Sequence, residues 1–184
     1  MLNVTKVNSQ IRNSNVLFWT RTEDTDMVAN GYWLIKANLK QEKYRKILGL
    51  LVEKFGFIPE NNQTYRLDKK CWYDKEPLNK VKNIFDDFLE VPEILVEDTR
   101  LIEAEEFGKG SKRIFKGEHY IYINSEFMSM INESYDIKYY SKGNLNPLYA
   151  CLDEEFLMIL PIRMEDDNEH LKEIEKEPIA DQAK

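Results

Sequence analysis

Apolar positions recur along the chain with two periods, and the switches between them divide it into elements. Asn15 to Thr20 is dense in β-branched and aromatic residues and reads as a strand, stopped by the polar run Arg21 to Asp26. A second strand, Gly31 to Ala37, follows the turn-prone pair Asn30 and Gly31, and the spacing predicts a hairpin between the two. From Lys40 to Phe55 the period changes. Tyr44, Ile47, Leu48, Leu51, Val52 and Phe55 fall at three- and four-residue steps, which predicts a helix with one apolar face and Gly56 as its C-terminal stop. Residues 60–77 read as a polar connection, and Leu78 to Leu89 as a second helix that buries Val81, Ile84, Phe85, Phe88 and Leu89 before Pro92 ends it.

Beyond Pro92 the pattern shortens. Glu93 to Glu97 and Arg100 to Ala104 are two short strand candidates, and Phe107 to Ile114 reads as a basic surface loop. His119 to Ile123 is a strand; Asn124 or Ser125 caps a short helix through Phe127, Met130 and Ile131. Three strands close the pattern at Tyr135 to Tyr140, Pro147 to Leu152 and Phe156 to Arg163, with turns at Ser141 to Asn144 and Asp153 to Glu155.

Composition adds bounds. With 42% hydrophobic residues, 9 Phe, 10 Tyr and 3 Trp, 184 residues can fill a packed core, so one domain is expected over residues 1–164. No apolar run approaches bilayer length and the first residues carry no signal-peptide pattern, so a cytoplasmic protein without a membrane partner is expected. Cys71 and Cys151 lie far apart with only His119 and His170 for company, which argues against structural zinc and for reduced core thiols. The net charge of -7 is uneven: residues 165–184 hold eight acids against three lysines and lack aromatics. That acidic tail cannot offset its ordering entropy by burial, and deleting residues 166–184 is expected to leave the fold intact.

Candidate chemistry is sparse. Lys40, Lys43, Lys46 and Lys54 mark the polar side of the first helix, and Lys80 and Lys82 lie on the second. Lys109, Lys112 and Arg113 surround Gly108, Gly110 and Ser111, but the spacing fits neither a Walker-type loop nor a dinucleotide fingerprint. Together these nine cations are the candidate contacts to nucleic acid or a partner. With two histidines in the chain, no nucleophilic triad is in prospect. Glu103, Glu105 and Glu106 near Lys109 leave a Mg²⁺-dependent nuclease as the third-ranked reading, and no cofactor or metal is otherwise called for.

Two stretches carry a resemblance to a known family. Tyr122-Ile-Asn-Ser-Glu-Phe-Met-Ser-Met-Ile and the run from Asn146-Pro-Leu through Leu160-Pro-Ile-Arg-Met164 resemble the closing half-domain of the bacterial DNA polymerase sliding clamp, the beta clamp, over about residues 113–164. A weaker echo falls at 28–58. The resemblance implies an α+β fold: one clamp-like domain of two βαβ-type halves with antiparallel sheet, helices on one face, and a charged C-terminal tail. It implies a non-enzymatic protein acting on DNA-processing or replication machinery through protein contacts, with DNA facing its helices. A bacterial clamp has three such domains, whereas this chain has length for little more than one. The alternative is a phage or mobile-element inhibitor of a host nucleoprotein complex, an anti-CRISPR or other anti-defence factor that occupies a basic channel with acidic surface. The partner expected under either reading is a protein of a DNA-processing or defence complex, and homo-oligomer formation is compatible with both.

Overall fold

The computed structural model describes residues 1–68, 90–104 and 110–163. Near the N-terminus Asn3 caps a helix, its side chain accepting the Lys6 N–H at 3.3 Å, and α1 runs over Val4–Asn13. The apolar pattern did not announce this helix, because Val7 and Ile11 are the apolar side chains it buries and the third buried position is Gln10. β1 (Val16–Arg21), β2 (Asp26–Ala29) and β3 (Trp33–Ala37) then form an antiparallel meander. The expected hairpin is thereby corrected: an extra strand, β2, lies between the two expected ones. Asp26, expected in the polar stop, opens β2 instead and is buried with Trp19 Nε1 donating to its carboxylate at 2.9 Å.

A 3₁₀ turn at Glu42–Tyr44 leads into α2 (Arg45–Phe55), which Gly56 terminates in the left-handed region at φ 77°, as the pattern predicts. The expected polar connection contains β4 (Gln63–Asp68), which pairs with β1 along its whole length. The second expected helix lies outside the described residues, as do Lys80, Lys82, Lys109 and the acidic tail. Of the two strand candidates after Pro92, the second lies within β5 (Glu97–Ala104) and the first gives it only Glu97, Leu95 being bridged to Tyr140 instead; Ser111 to Ile114, expected as loop, belong to β6 (Ser111–Lys116). β7 (Tyr120–Asn124), α3 (Ser125–Met128, capped by the Asn124 side chain), β8 (Lys138–Tyr140), β9 (Leu148–Leu152) and β10 (Glu155–Ile159) follow the expected order.

The result is α+β with antiparallel pairing between strands. One sheet has the order β4-β1-β2-β3-β10-β9-β8, and a smaller one β5-β6-β7. The middle of the large sheet, β2, β3, β10 and β9, is buried on both faces. Leu17, Trp19, Val28, Trp33, Ile35, Leu148, Ala150, Leu157 and Ile159 point into the main core, while Leu34, Tyr149, Phe156 and Met158 form a second cluster on the opposite face. All three described helices pack into the main core, through Val7 and Ile11, through Ile47, Leu51 and Phe55, and through Met128. Phe115, Ile121 and Ile123 of the small sheet join the same core.

Candidate functional site

The predicted cations divide between two places. Lys40 is exposed ahead of the 3₁₀ turn, and its Nζ donates to the Glu23 carbonyl at 2.5 Å. Lys43 is committed: its ammonium lies 3.1 Å from Glu155 Oε1 and 4.7 Å from the centre of the Tyr44 ring. Lys46 is exposed in the first turn of α2, whereas Lys54 is half-buried on the flank of the apolar face. The outward ridge of α2 is therefore Arg45, Lys46, Gly49 and Glu53, with Arg45 standing where the pattern had placed Lys54. Arg45, next to Lys46 in the first turn of α2, was not among the nine expected cations.

Lys112 and Arg113 sit on β6. Lys112 stands opposite Glu103 of β5 and Asn124 of β7 and is half-buried. Arg113 is held more tightly. Its Nε donates to Asp98 Oδ1 at 3.1 Å, its Nη2 to Asp98 Oδ2 and its Nη1 to Glu133 Oε1. Burial alone would lower the guanidinium pKa, but the bonds it donates to Asp98 and Glu133, with their charges, outweigh it and the net shift is upward. This arginine is a structural clamp between β5, β6 and the approach to β8.

Around that clamp lies a cavity of about 580 Å³ lined by Asp98, Arg100, Ile102, Arg113, Glu133, Tyr135, Asp136, Ile137 and Tyr139. β5 shapes its wall through a bulge: Asp98 pairs with Phe115 and Ile102 with Arg113, so three residues of β5 face one of β6. Thr99 Oγ1 fills the gap by donating to the Ile114 carbonyl at 2.7 Å, and Arg100 adopts φ 60°, unusual for a side chain with a Cβ. Burial pushes the Tyr139 phenol upward; Arg113 works against this, and Asp98 and Glu133 add to it. Both signs of charge line the cavity, so it has no single electrostatic preference.

Elsewhere, Tyr44, Glu155, Lys43 and the Met1 amino group form one polar cluster beside the start of β10. Of the acids expected for a nuclease, Glu103 has a buried Oε2 without a hydrogen-bond partner, and Glu105, Glu106 and Lys109 lie outside the described residues. Among the described residues no three His, Cys, Asp or Glu side chains are grouped to hold a metal, and no helix is long and apolar enough to cross a membrane. Cys151 is a free thiol pushed up to about 11 by burial. Comparison of the chain with protein-family models, with curated proteins and with solved structures gives no significant match.

Proposed function

We propose that the chain is a clamp-like binding module that acts on DNA-processing machinery by contact, through protein and DNA, without catalysis. The observation that supports this reading is the strand order. α1 leads into the meander β1-β2-β3, α3 leads into the meander β8-β9-β10, and the last strands of the two meanders pair antiparallel, so the middle of the sheet runs β1-β2-β3-β10-β9-β8. Each helix is opened by an asparagine cap, Asn3 and Asn124. The order reads as two related halves, residues 2–37 and 123–159, about an axis between β3 and β10. This moves the earlier echo from 28–58 toward the N-terminus and leaves α2, β4, β5 and β6 as an insertion.

On this reading the helical side carries the DNA contacts. α1 exposes Thr5, Lys6, Ser9, Arg12 and Asn13, and in a chain with 33 acids the first is Glu23. Beside it α2 presents Arg45 and Lys46. Such a surface of cations and neutral hydrogen-bonding groups suits phosphate contact without base readout. The test is fluorescence anisotropy of labelled duplex DNA over a range of salt, paired with capture of partners from a nuclease-treated bacterial lysate. Salt-dependent binding of DNA, or recovery of polymerase, clamp-loader or repair proteins, is the expected result. Recovery of a CRISPR effector or restriction complex instead moves the reading to the anti-defence inhibitor, which the net charge of -7 favours. Neither DNA binding nor any such protein overturns both.

A further inference from the structure

The charged groups that line the cavity beside β5 fall into two sets. Arg113 binds both Asp98 and Glu133, so these three side chains satisfy one another. Arg100 and Asp136 are left over. Both are exposed at the cavity wall, and among the described residues neither the Arg100 guanidinium nor the Asp136 carboxylate has an ion-pair or hydrogen-bond partner. The rest of the wall is apolar or aromatic surface from Ile102, Tyr135, Ile137 and Tyr139, with Ile102 65% exposed and Tyr135 46% exposed. A cavity of about 580 Å³ with such walls and a few polar groups is of the size that takes small molecules.

Arg100 stands there at a backbone position that does not suit it. Its φ of 60° is one that glycine adopts without strain and that a residue with a Cβ rarely does. The neighbours impose this conformation. Asp98 Oδ1 accepts the Arg100 N–H at 3.0 Å, and Thr99 Oγ1 accepts the Leu101 N–H at 3.2 Å while donating across the bulge to the Ile114 carbonyl. Asp98 is itself fixed by Arg113, so the clamp holds the bulge in place. The bulge thus presents at the cavity a long cationic side chain where glycine would relieve the backbone, which joins local strain to an uncommitted charge in the manner of a ligand site.

We propose that this cavity binds a small zwitterion with an apolar side chain, an amino acid or short peptide whose carboxylate pairs with Arg100 and whose ammonium pairs with Asp136. A guanidinium meets a carboxylate through two parallel hydrogen bonds, and the ammonium answers the acid that Arg113 leaves unpaired. A dianion such as phosphate suits the wall less, because three acids line it against two arginines. The apolar body of the ligand covers Ile102 and Ile137 and lies against the tyrosine rings. Such binding is independent of contact with DNA.

The test is a titration of the full chain, followed by NMR, with phenylalanine, with the dipeptide leucyl-phenylalanine, with each of these acetylated at the amino group or amidated at the carboxyl group, and with inorganic phosphate. Saturable binding of at least one zwitterion is expected, with its acetylated and amidated forms about tenfold weaker or more, and phosphate weaker still. Tighter binding of phenylalanine assigns the site to free amino acids, and tighter binding of the dipeptide assigns it to short peptides. Arg100→Gly should melt no lower than the native chain, since glycine accepts φ 60°, yet should bind the zwitterion no better than its amide. Arg100→Asn, which also tolerates this conformation, should do the same. Asp136→Asn, at an exposed position, should erase the preference for the zwitterion over its acetylated form. Absence of saturable binding by either zwitterion, a blocked form or phosphate that binds as tightly, or preferences unchanged in the Arg100 and Asp136 variants would overturn the assignment.

Discussion

Tyr44 Oη donates a 2.6 Å hydrogen bond to Glu155 Oε2 and so ties the turn before α2 to the first residue of β10. The same hydroxyl accepts the Leu2 N–H at 3.2 Å and the Met1 amino group at 3.3 Å. Tyr44→Phe therefore removes a donor from Glu155 and orphans the buried Leu2 N–H, at an expected cost of about 1–3 kcal/mol. Lys43→Gln removes only a half-exposed partner of Glu155 and should cost less than about 1 kcal/mol. Burial, and then Glu155, push the Tyr44 phenol above its ordinary value of 10.0, so the fold favours the neutral phenol. That contribution is present below pH 10 and is lost as pH rises beyond it, whereas the Phe variant has none to lose. Urea unfolding across this range checks both statements; a Tyr44→Phe variant as stable as the native chain would refute them.

The helix α2 could be read from its apolar steps and Gly56, and β7 through β10 from their runs of apolar and aromatic residues and the turns between them, because in these segments the local pattern and the tertiary environment agree. α1 and β4 escaped because each buries few apolar side chains: β4, at the end of the sheet, buries only Tyr65. β2 escaped for the opposite reason. All four of its residues are buried, since the sheet is covered on both faces, so the run Asp26-Met-Val-Ala shows no alternation. The clamp at Arg113 was illegible in kind: its partners lie 15 and 20 residues away, and no local spacing links a basic turn to Asp98 and Glu133.

Arg113→Met removes the guanidinium that lies over the Phe115 ring and strips the charge from between Asp98 and Glu133. Asp98 is then a largely buried carboxylate facing Glu133 without a counter-ion, and the expected loss is about 3 kcal/mol. Arg113→Lys should recover only part of it, since one ammonium cannot bond both Asp98 oxygens in the manner of a guanidinium. Adding Asp98→Asn to Arg113→Met should return some of the stability by removing the stranded charge. A double variant less stable than Arg113→Met, measured by thermal denaturation, would show that the pair does not act as a unit.

Asp26 predicts a pH dependence with a definite sign. Burial raises its pKa above the ordinary 3.8, opposed by the bond from Trp19 and by Arg21 and Lys40, and its Oδ2 has no partner. The fold thus prefers the protonated acid, and ionisation subtracts stability as pH rises from the unfolded value through the higher folded one. Asp26→Asn retains the acceptor for Trp19 Nε1 and does not titrate. The difference in urea midpoint between variant and native protein should therefore move in the variant's favour from pH 4 to pH 7, and a difference constant over that range would sink the argument.

The proposed DNA surface makes a quantitative claim about salt. Lys6, Arg45 and Lys46 are exposed, and α1 carries no acid to offset its cations, so replacing each of the three by Gln should remove about one phosphate contact. The slope of log affinity against log salt should then fall by about 0.9 per residue, with equal loss on unrelated duplex sequences, because counterion release is blind to the bases. Lys43→Gln is the internal control: its ammonium is already paired with Glu155, and its loss should change the slope less than that of Lys46. A slope unmoved by the triple substitution would take DNA off this face of the helices and leave protein contact as the way the chain acts.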